Sequence, residues 1–262
     1  MSRPSVAEVR AVAQPPAVLG RRNAEHWSGE LYLRRISPYV TRELVSTPIT
    51  PNGVTGLMIA SGAGAGGALL VPGLPGGGLA ALLAQLQMLW DCSDGELARW
   101  RGTSSPAGVF LDKLGHYTAE GLIPLALGVR ADGGLRSIGG WTTMGSLLGL
   151  LVLYNKALND MVRVSRAQAG LPALVDDASE VRPRARGARR LRALARFVPF
   201  HRAYHSIELT LLALGAAVAD ELLGDAYDGL GGTRALVAVL VPAALVTVVG
   251  HTTAILTSSR LR

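Results

Sequence analysis

A single cysteine, Cys92, rules out an intrachain disulfide in this 262-residue chain, and no Cys/His spacing suggests zinc. Lysine is nearly absent. Of 26 basic residues only Lys113 and Lys156 are lysines, a bias that makes arginine content uninformative by itself. Aromatics supply 5% of the residues while 49% are hydrophobic. A soluble protein that apolar would need a large aromatic-rich core. Residues 1–50 contain no long apolar run, so no cleavable signal peptide is expected and the first apolar segment must direct insertion itself. A basic domain with interleaved aromatics is missing too. The net charge of +7 and pI near 10.2 lie between apolar segments and in the N-terminal arm, which argues for a membrane and against nucleic acid.

What is present is Leu, Val, Ala and 32 glycines, with a mean hydropathy of +0.30. Small residues let lipid-embedded helices approach closely. Residues 1–26, rich in Pro, Ala and Arg, read as a flexible arm. From Trp27 to Val45, apolar positions alternate with Arg34, Arg35 and Arg42, as in an amphipathic helix lying at the membrane interface or a solvated helix packed on the rest. Pro48 and Pro51 mark a turn at 47–52. Six apolar stretches follow, at about 54–72, 78–99, 106–128, 138–160, 203–223 and 234–256. Gly62, Gly66 and Gly67 read as a packing face of the first.

The connections set the orientation. Arginines crowd the N-terminal arm, the turn after the second stretch (Arg99, Arg101) and the segment from Arg163 to Arg202, which holds ten of them against Asp176, Asp177 and Glu180. The loop after the fifth stretch is acidic, with Glu221, Asp225 and Asp228. The expected architecture is therefore all-α: one polytopic membrane domain over 27–262, six spans, an interfacial N-terminal helix and both termini cytoplasmic. The loop with Arg130, Asp132 and Arg136 interrupts the alternation without overturning it.

Charge inside such stretches calls for a reason. Asp91, Asp94 and Glu96 end the second stretch, and Asp112 and His116 begin the third. Asp91 and Asp94 share a helical face, as do Asp112 and His116. A short turn would make the two helices antiparallel neighbours and bring three carboxylates into one wet cavity. Clustered carboxylates need a cation, and oxygen ligands suit Mg²⁺, Mn²⁺ or Ca²⁺, with Mg²⁺ usual where substrate phosphates complete the shell. Gly95 and Ala98 leave room beside the helix for a ligand, and Arg99 lies where it could meet a phosphate.

These residues carry a resemblance. Asp91, Asp94, Gly95, Ala98, Arg99, Gly108 and Asp112 stand at the spacing Asp-x2-Asp-Gly-x2-Ala-Arg-x8-Gly-x3-Asp-x3-Asp, the signature of the CDP-alcohol phosphotransferase family. Thr50-Pro51-Asn52-x-Val54-Thr55 is similar to the family's Thr-Pro-Asn opening. The resemblance implies a plasma-membrane enzyme with a cytoplasmic active site, in phospholipid or envelope-lipid synthesis. It would move a substituted phosphate from a CDP-linked donor (CDP-diacylglycerol or a CDP-alcohol) to an alcohol, releasing CMP. It implies that Asp91, Asp94 and Asp112 bind Mg²⁺ or Mn²⁺, that Asn52, Gly95, Ala98, Arg99 and Gly108 accommodate CDP, and that the chain forms a homodimer.

The last motif position departs from the family, with His116 where it has an aspartate thought to be the general base. Three readings stand: the imidazole replaces the base, it is an altered metal ligand, or the activity is lost and the protein is a scaffold that kept the fold. A transporter is a more distant rival, since no internal repeat is visible. Lys156, Arg202 and His205 are candidates for holding the acceptor, with His201, His205 and Glu208 on one face of a helix. His251 reads as a packing residue, the arginine run at 182–196 as a solvated segment touching anionic lipid, and 220–228 as an outer loop.

Overall fold

The computed structural model describes residues 3–15, 28–172, 203–224 and 226–261. No strand occurs among them, and the all-α class expected from sequence holds. We number the α-helices α1 (Val6–Ala13), α2 (Arg34–Val45), α3 (Pro51–Leu69), α4 (Gly73–Arg101), α5 (Pro106–Ala131), α6 (Gly140–Gln168), α7 (Ser206–Leu223) and α8 (Gly231–Thr257). A π-helical turn, Gly29–Leu33, leads into α2, and short 3₁₀ turns follow α7 and α8.

Local chemistry sets the helix ends that frame the site. Thr50 caps α3, its side chain accepting from Gly53 N at 3.1 Å with Pro51 in the first turn. Ser105 does the same for α5 through Gly108 N at 3.1 Å, followed by Pro106. In both, the hydroxyl satisfies an amide that has no partner inside the helix, and proline occupies a position that needs no N–H. Between them α4 stops at Gly102, whose φ of 65° is the left-handed conformation that ends helices and that glycine adopts freely.

The N-terminal arm corrects an expectation. Residues 6–13 are helical and packed, with Val9 and Ala13 fully buried against α2 and α4. A capping box starts this helix: Ser5 N donates to Glu8 Oε2 at 2.6 Å and Glu8 N to Ser5 Oγ at 3.2 Å. The remainder of the expected arm lies outside the described residues, as does the arginine run at 182–196.

The helix at the centre of the arrangement is α3. It packs along both α4 and α5, while α4 and α5 make no comparable packing with each other. The expectation that α4 and α5 are close antiparallel neighbours is thus corrected: α3 is shared by both, and side chains bridge the gap between them. Around this trio, α5 packs on α6, α6 on α8, and α7 on α4 and α8. The apolar core runs through Ala65, Leu69, Ala84, Ala119, Ile123 and Leu148, so small residues bring the helix axes together. Gly62 does this directly: an added Cβ would stand 3.0 Å from both Ala119 and Gln87. Gly67, expected on the same face, meets open space instead.

Each of the six expected apolar stretches coincides with a long helix, α3 to α8. Among the described residues one helix, α8, is long and apolar enough to cross a membrane by length and composition alone. Large apolar side chains are nevertheless exposed on the outer faces of several helices, among them Leu82, Phe110, Leu150, Val239 and Val246. Two acids tie consecutive helices. Asp132, between α5 and α6, accepts from Gly139 N (2.7 Å), Trp141 N (3.3 Å), Thr142 N (2.7 Å) and Thr142 Oγ1 (2.6 Å). Asp220, expected in an outer loop, is instead a buried residue of α7 and accepts from Thr233 N at 3.1 Å.

Candidate active site

The motif residues gather where the C-terminal half of α4 faces the N-terminal half of α5. Asp91 comes from α4, and Asp112 and His116 from successive turns of α5. His116 Nε2 lies 3.0 Å from Asp91 Oδ1 and 3.5 Å from Asp112 Oδ1. One ligand atom from each of the three lies within 4.8 Å of the others. The side chains of Asp91 and His116 are each 16% exposed and that of Asp112 is 39% exposed, so the cluster is open on the Asp112 side.

Asp94 is set apart from this trio. Its carboxylate turns toward α3, where Oδ2 accepts from Thr55 Oγ1 at 2.6 Å, and the residue is buried. Glu96, counted in the sequence among the same acids, faces the opposite way. It is fully buried and accepts from Gln14 Nε2 (2.8 Å), Ser37 Oγ (2.6 Å) and Thr41 Oγ1 (2.7 Å). Glu96 therefore fastens the N-terminal elements to α4 and takes no part in the trio.

The positions implied for CDP are placed as follows. Asn52, in the first turn of α3, and Gly108, in the first turn of α5, adjoin: a Cβ on Gly108 would stand 3.3 Å from Asn52 Oδ1. Thr50, Pro51, Asn52, Arg101, Thr103 and Ser105 line a cavity of about 250 Å³ beside them. Arg99 folds back over Gly95, where a Cβ would stand 3.2 Å from its Nη1, and its Nε donates to Ala13 O at 2.6 Å. The motif arginine is thus held by the C-terminal end of α1. Ala98 is half-buried one helical turn beyond Asp94.

Two acceptor candidates, Lys156 and His205, also meet, around a residue not expected at the site, Glu120. Glu120, fully buried on α5, lies one turn beyond His116 on the same face. His205 Nδ1 is 2.9 Å from Glu120 Oε1, Ser206 N donates to Oε2 at 3.3 Å, and Lys156 Nζ is 3.9 Å away. The signal was available, since Glu120 extends the series Asp112, His116 at a spacing of four inside an apolar stretch. Arg202 and His201 lie outside the described residues. Asp160 pairs with Lys113 and accepts from Tyr117 Oη at 3.1 Å. His251, expected as a packing residue, contacts Asn155 Oδ1 through Nδ1 at 2.8 Å.

Residues 49–167, which run across α3 to α6, match the family model described as CDP-alcohol phosphatidyltransferase. This stretch contains Asp91, Asp94, Asp112 and His116 and ends before His205. No curated protein matches the chain. The family is membrane-embedded, metal-dependent and transfers phosphate from a CDP-alcohol to an acceptor.

The donors present suit a divalent cation. Ligands on opposite sides of Mg²⁺ or a similar ion at about 2.1 Å stand about 4.2 Å apart. The separations from His116 Nε2 to Asp91 Oδ1 and Asp112 Oδ1, 3.0 and 3.5 Å, lie inside that maximum, and no pair of the three donor atoms exceeds it by more than a fraction of an ångström.

Proposed function

We propose that the protein is an integral membrane transferase that moves a substituted phosphate from a CDP-linked donor to an alcohol acceptor and releases CMP. The observation that carries this reading is the convergence of Asp91, Asp112 and His116 across the α4–α5 gap, within a segment that matches the family. α3 to α8 cross the bilayer as six spans, with the site and both termini on the cytoplasmic side. Their exposed leucines, valines and phenylalanine face lipid. The protein works as a homodimer in the plasma membrane, in the synthesis of a phospholipid or related envelope lipid.

Asp91 and Asp112, with Asp94 behind them, would hold Mg²⁺ or Mn²⁺, with His116 beside them. The ion supplies charge neutralisation on the diphosphate as CMP departs. Asn52, Gly95, Ala98 and Gly108 border the cytidine diphosphate, and Arg99 turns from Ala13 O toward it. The acceptor hydroxyl is presented from the Glu120, Lys156 and His205 side. Its oxygen bonds to the β-phosphorus of the donor and the bond from that phosphorus to the bridging oxygen breaks. CMP leaves with the electron pair, and the proton of the hydroxyl passes to a basic group of the cleft.

One observation favours a second reading, the inactive scaffold. His116 Nε2 stands 3.0 Å from Asp91 Oδ1 and 3.5 Å from Asp112 Oδ1, a partner for both carboxylates from within the protein. Purified protein with Mg²⁺ or Mn²⁺, offered CDP-diacylglycerol and soluble CDP-alcohols against pooled acceptors, separates the two. The transferase releases CMP in a metal-dependent way that Asp94→Asn abolishes. The scaffold releases none and binds neither metal nor CDP.

A further inference from the structure

We propose that His116 is a nitrogen ligand of the bound ion, which makes this a mixed nitrogen–oxygen centre that takes Mn²⁺ in preference to Mg²⁺. The inference rests on the metal-dependent transferase reading and deepens it by assigning the ion and the donor atom.

Because α4 and α5 both lean on α3 and not on each other, only side chains long enough to span the gap can complete a site between them. Asp91 reaches in from α4, and imidazole, longer than an aspartate, reaches back from α5. His116 Nε2 arrives 3.0 Å from Asp91 Oδ1 and 3.5 Å from Asp112 Oδ1, so the nitrogen stands among the oxygens and not behind them. Asp94, by contrast, is directed to Thr55 Oγ1 at 2.6 Å. Among the described residues, the His, Cys, Asp and Glu side chains whose donor atoms converge closely enough for one ion are Asp91, Asp112 and His116.

Donor chemistry then selects the ion. Mg²⁺ is a hard cation that demands oxygen ligands at about 2.1 Å and gives up water reluctantly. Imidazole nitrogen is a softer donor suited to first-row transition ions, and carboxylates suit Mn²⁺ as readily as Mg²⁺. A set of two carboxylates and one imidazole therefore favours Mn²⁺. The same nitrogen cannot serve two roles: an Nε2 that donates its lone pair to the ion has none for the acceptor's proton. The lost negative charge relative to an all-aspartate set also weakens the site most for the ion held by charge alone.

The test uses the full-length protein in detergent or lipid and Mn²⁺ alone as the probe. Titration followed by the electron paramagnetic resonance of bound Mn²⁺, with Mg²⁺ as competitor, gives the preference. Electron spin echo modulation gives the ligand. The expected result is a ¹⁴N coupling on bound Mn²⁺ and a Mn²⁺ preference of roughly tenfold or more. His116→Asp, which keeps the helix and supplies an oxygen donor, removes the coupling and narrows the preference. Mn²⁺ bound without a ¹⁴N coupling, or with one that persists in His116→Asp, overturns the nitrogen ligand and leaves the metal site standing. Failure to bind either ion overturns the inference together with the reading beneath it. The wild-type spectrum decides the ligand even if the variant fails to fold.

Discussion

Asp91 and Glu96 stand five residues apart on α4 and have opposite fates. At about 100° per residue they point about 140° apart. Glu96 faces the N-terminal elements, is fully buried, and receives hydrogen bonds from Gln14, Ser37 and Thr41. Asp91 faces the α4–α5 gap and meets Asp112 and His116 at the edge of solvent. A buried acid surrounded by hydroxyl and amide donors is a fastening, since its oxygens are satisfied by neutral groups that are useless to a substrate. An acid facing another acid and an imidazole, with one side open, has the surroundings expected of a ligand site. The comparison teaches that neighbours, and not residue type, separate a structural acid from a candidate functional one.

The largest expected effect breaks the functional side of this comparison. Asp91→Asn should lower metal-dependent CMP release by about 10²–10³-fold while leaving thermal unfolding in detergent nearly unchanged. Glu96→Ala should do the reverse. It strips the buried Ser37 and Thr41 and the part-buried Gln14 of their shared acceptor and should destabilise the fold by about 3 kcal/mol, read as a lowered Tm, with residual activity limited by folding. A Glu96→Ala protein of wild-type Tm would remove the fastening role. Asp94 lies between the two, and Thr55→Val sharpens its place. Loss of the Thr55 hydroxyl should weaken Mn²⁺ binding by roughly tenfold, because Asp94 is then no longer oriented. Unchanged binding would make Asp94 a packing acid like Glu96.

The smallest effect concerns an acid in neither class. Burial pulls Asp132 slightly upward, but hydrogen bonds from Thr142, Gly139 and Trp141 outweigh it and hold its carboxyl below the usual carboxylate range. A group lowered in the folded state stabilises the fold above its unfolded value, near 4, and loses that contribution as pH falls through its folded value. The start of α6 should therefore loosen only under strongly acid conditions. Asp132→Ala should cost about 1 kcal/mol at neutral pH and remove that acid sensitivity, measured by hydrogen exchange at 139–143.

Much of this was legible in the sequence. The positions of α3 to α8 followed from apolar runs, and the starts of α3 and α5 carry their capping residues and prolines in plain view. The residues of the candidate cluster were legible because charge in an apolar stretch is conspicuous. Three things were not. Helix α1 hid because its Ser5–Glu8 capping box lies in a Pro- and Ala-rich stretch with little periodicity. The split between Asp91 and Asp94 hid because residues three apart share a face only within about 60°, enough for one to meet His116 and the other Thr55. The separation of α4 from α5 hid because it depends on where α3 docks, and nothing in a short turn encodes a third helix lying against both arms.

That third helix has a consequence for the order of events during biogenesis. A helical hairpin made of α4 and α5 alone contains every donor of the trio, yet has nothing to set the distance between its arms. Until α3 has docked, the carboxylates are not held in register and have no common ion to share. If the trio holds an ion as proposed, its capture follows the docking of α3 and reports completed assembly.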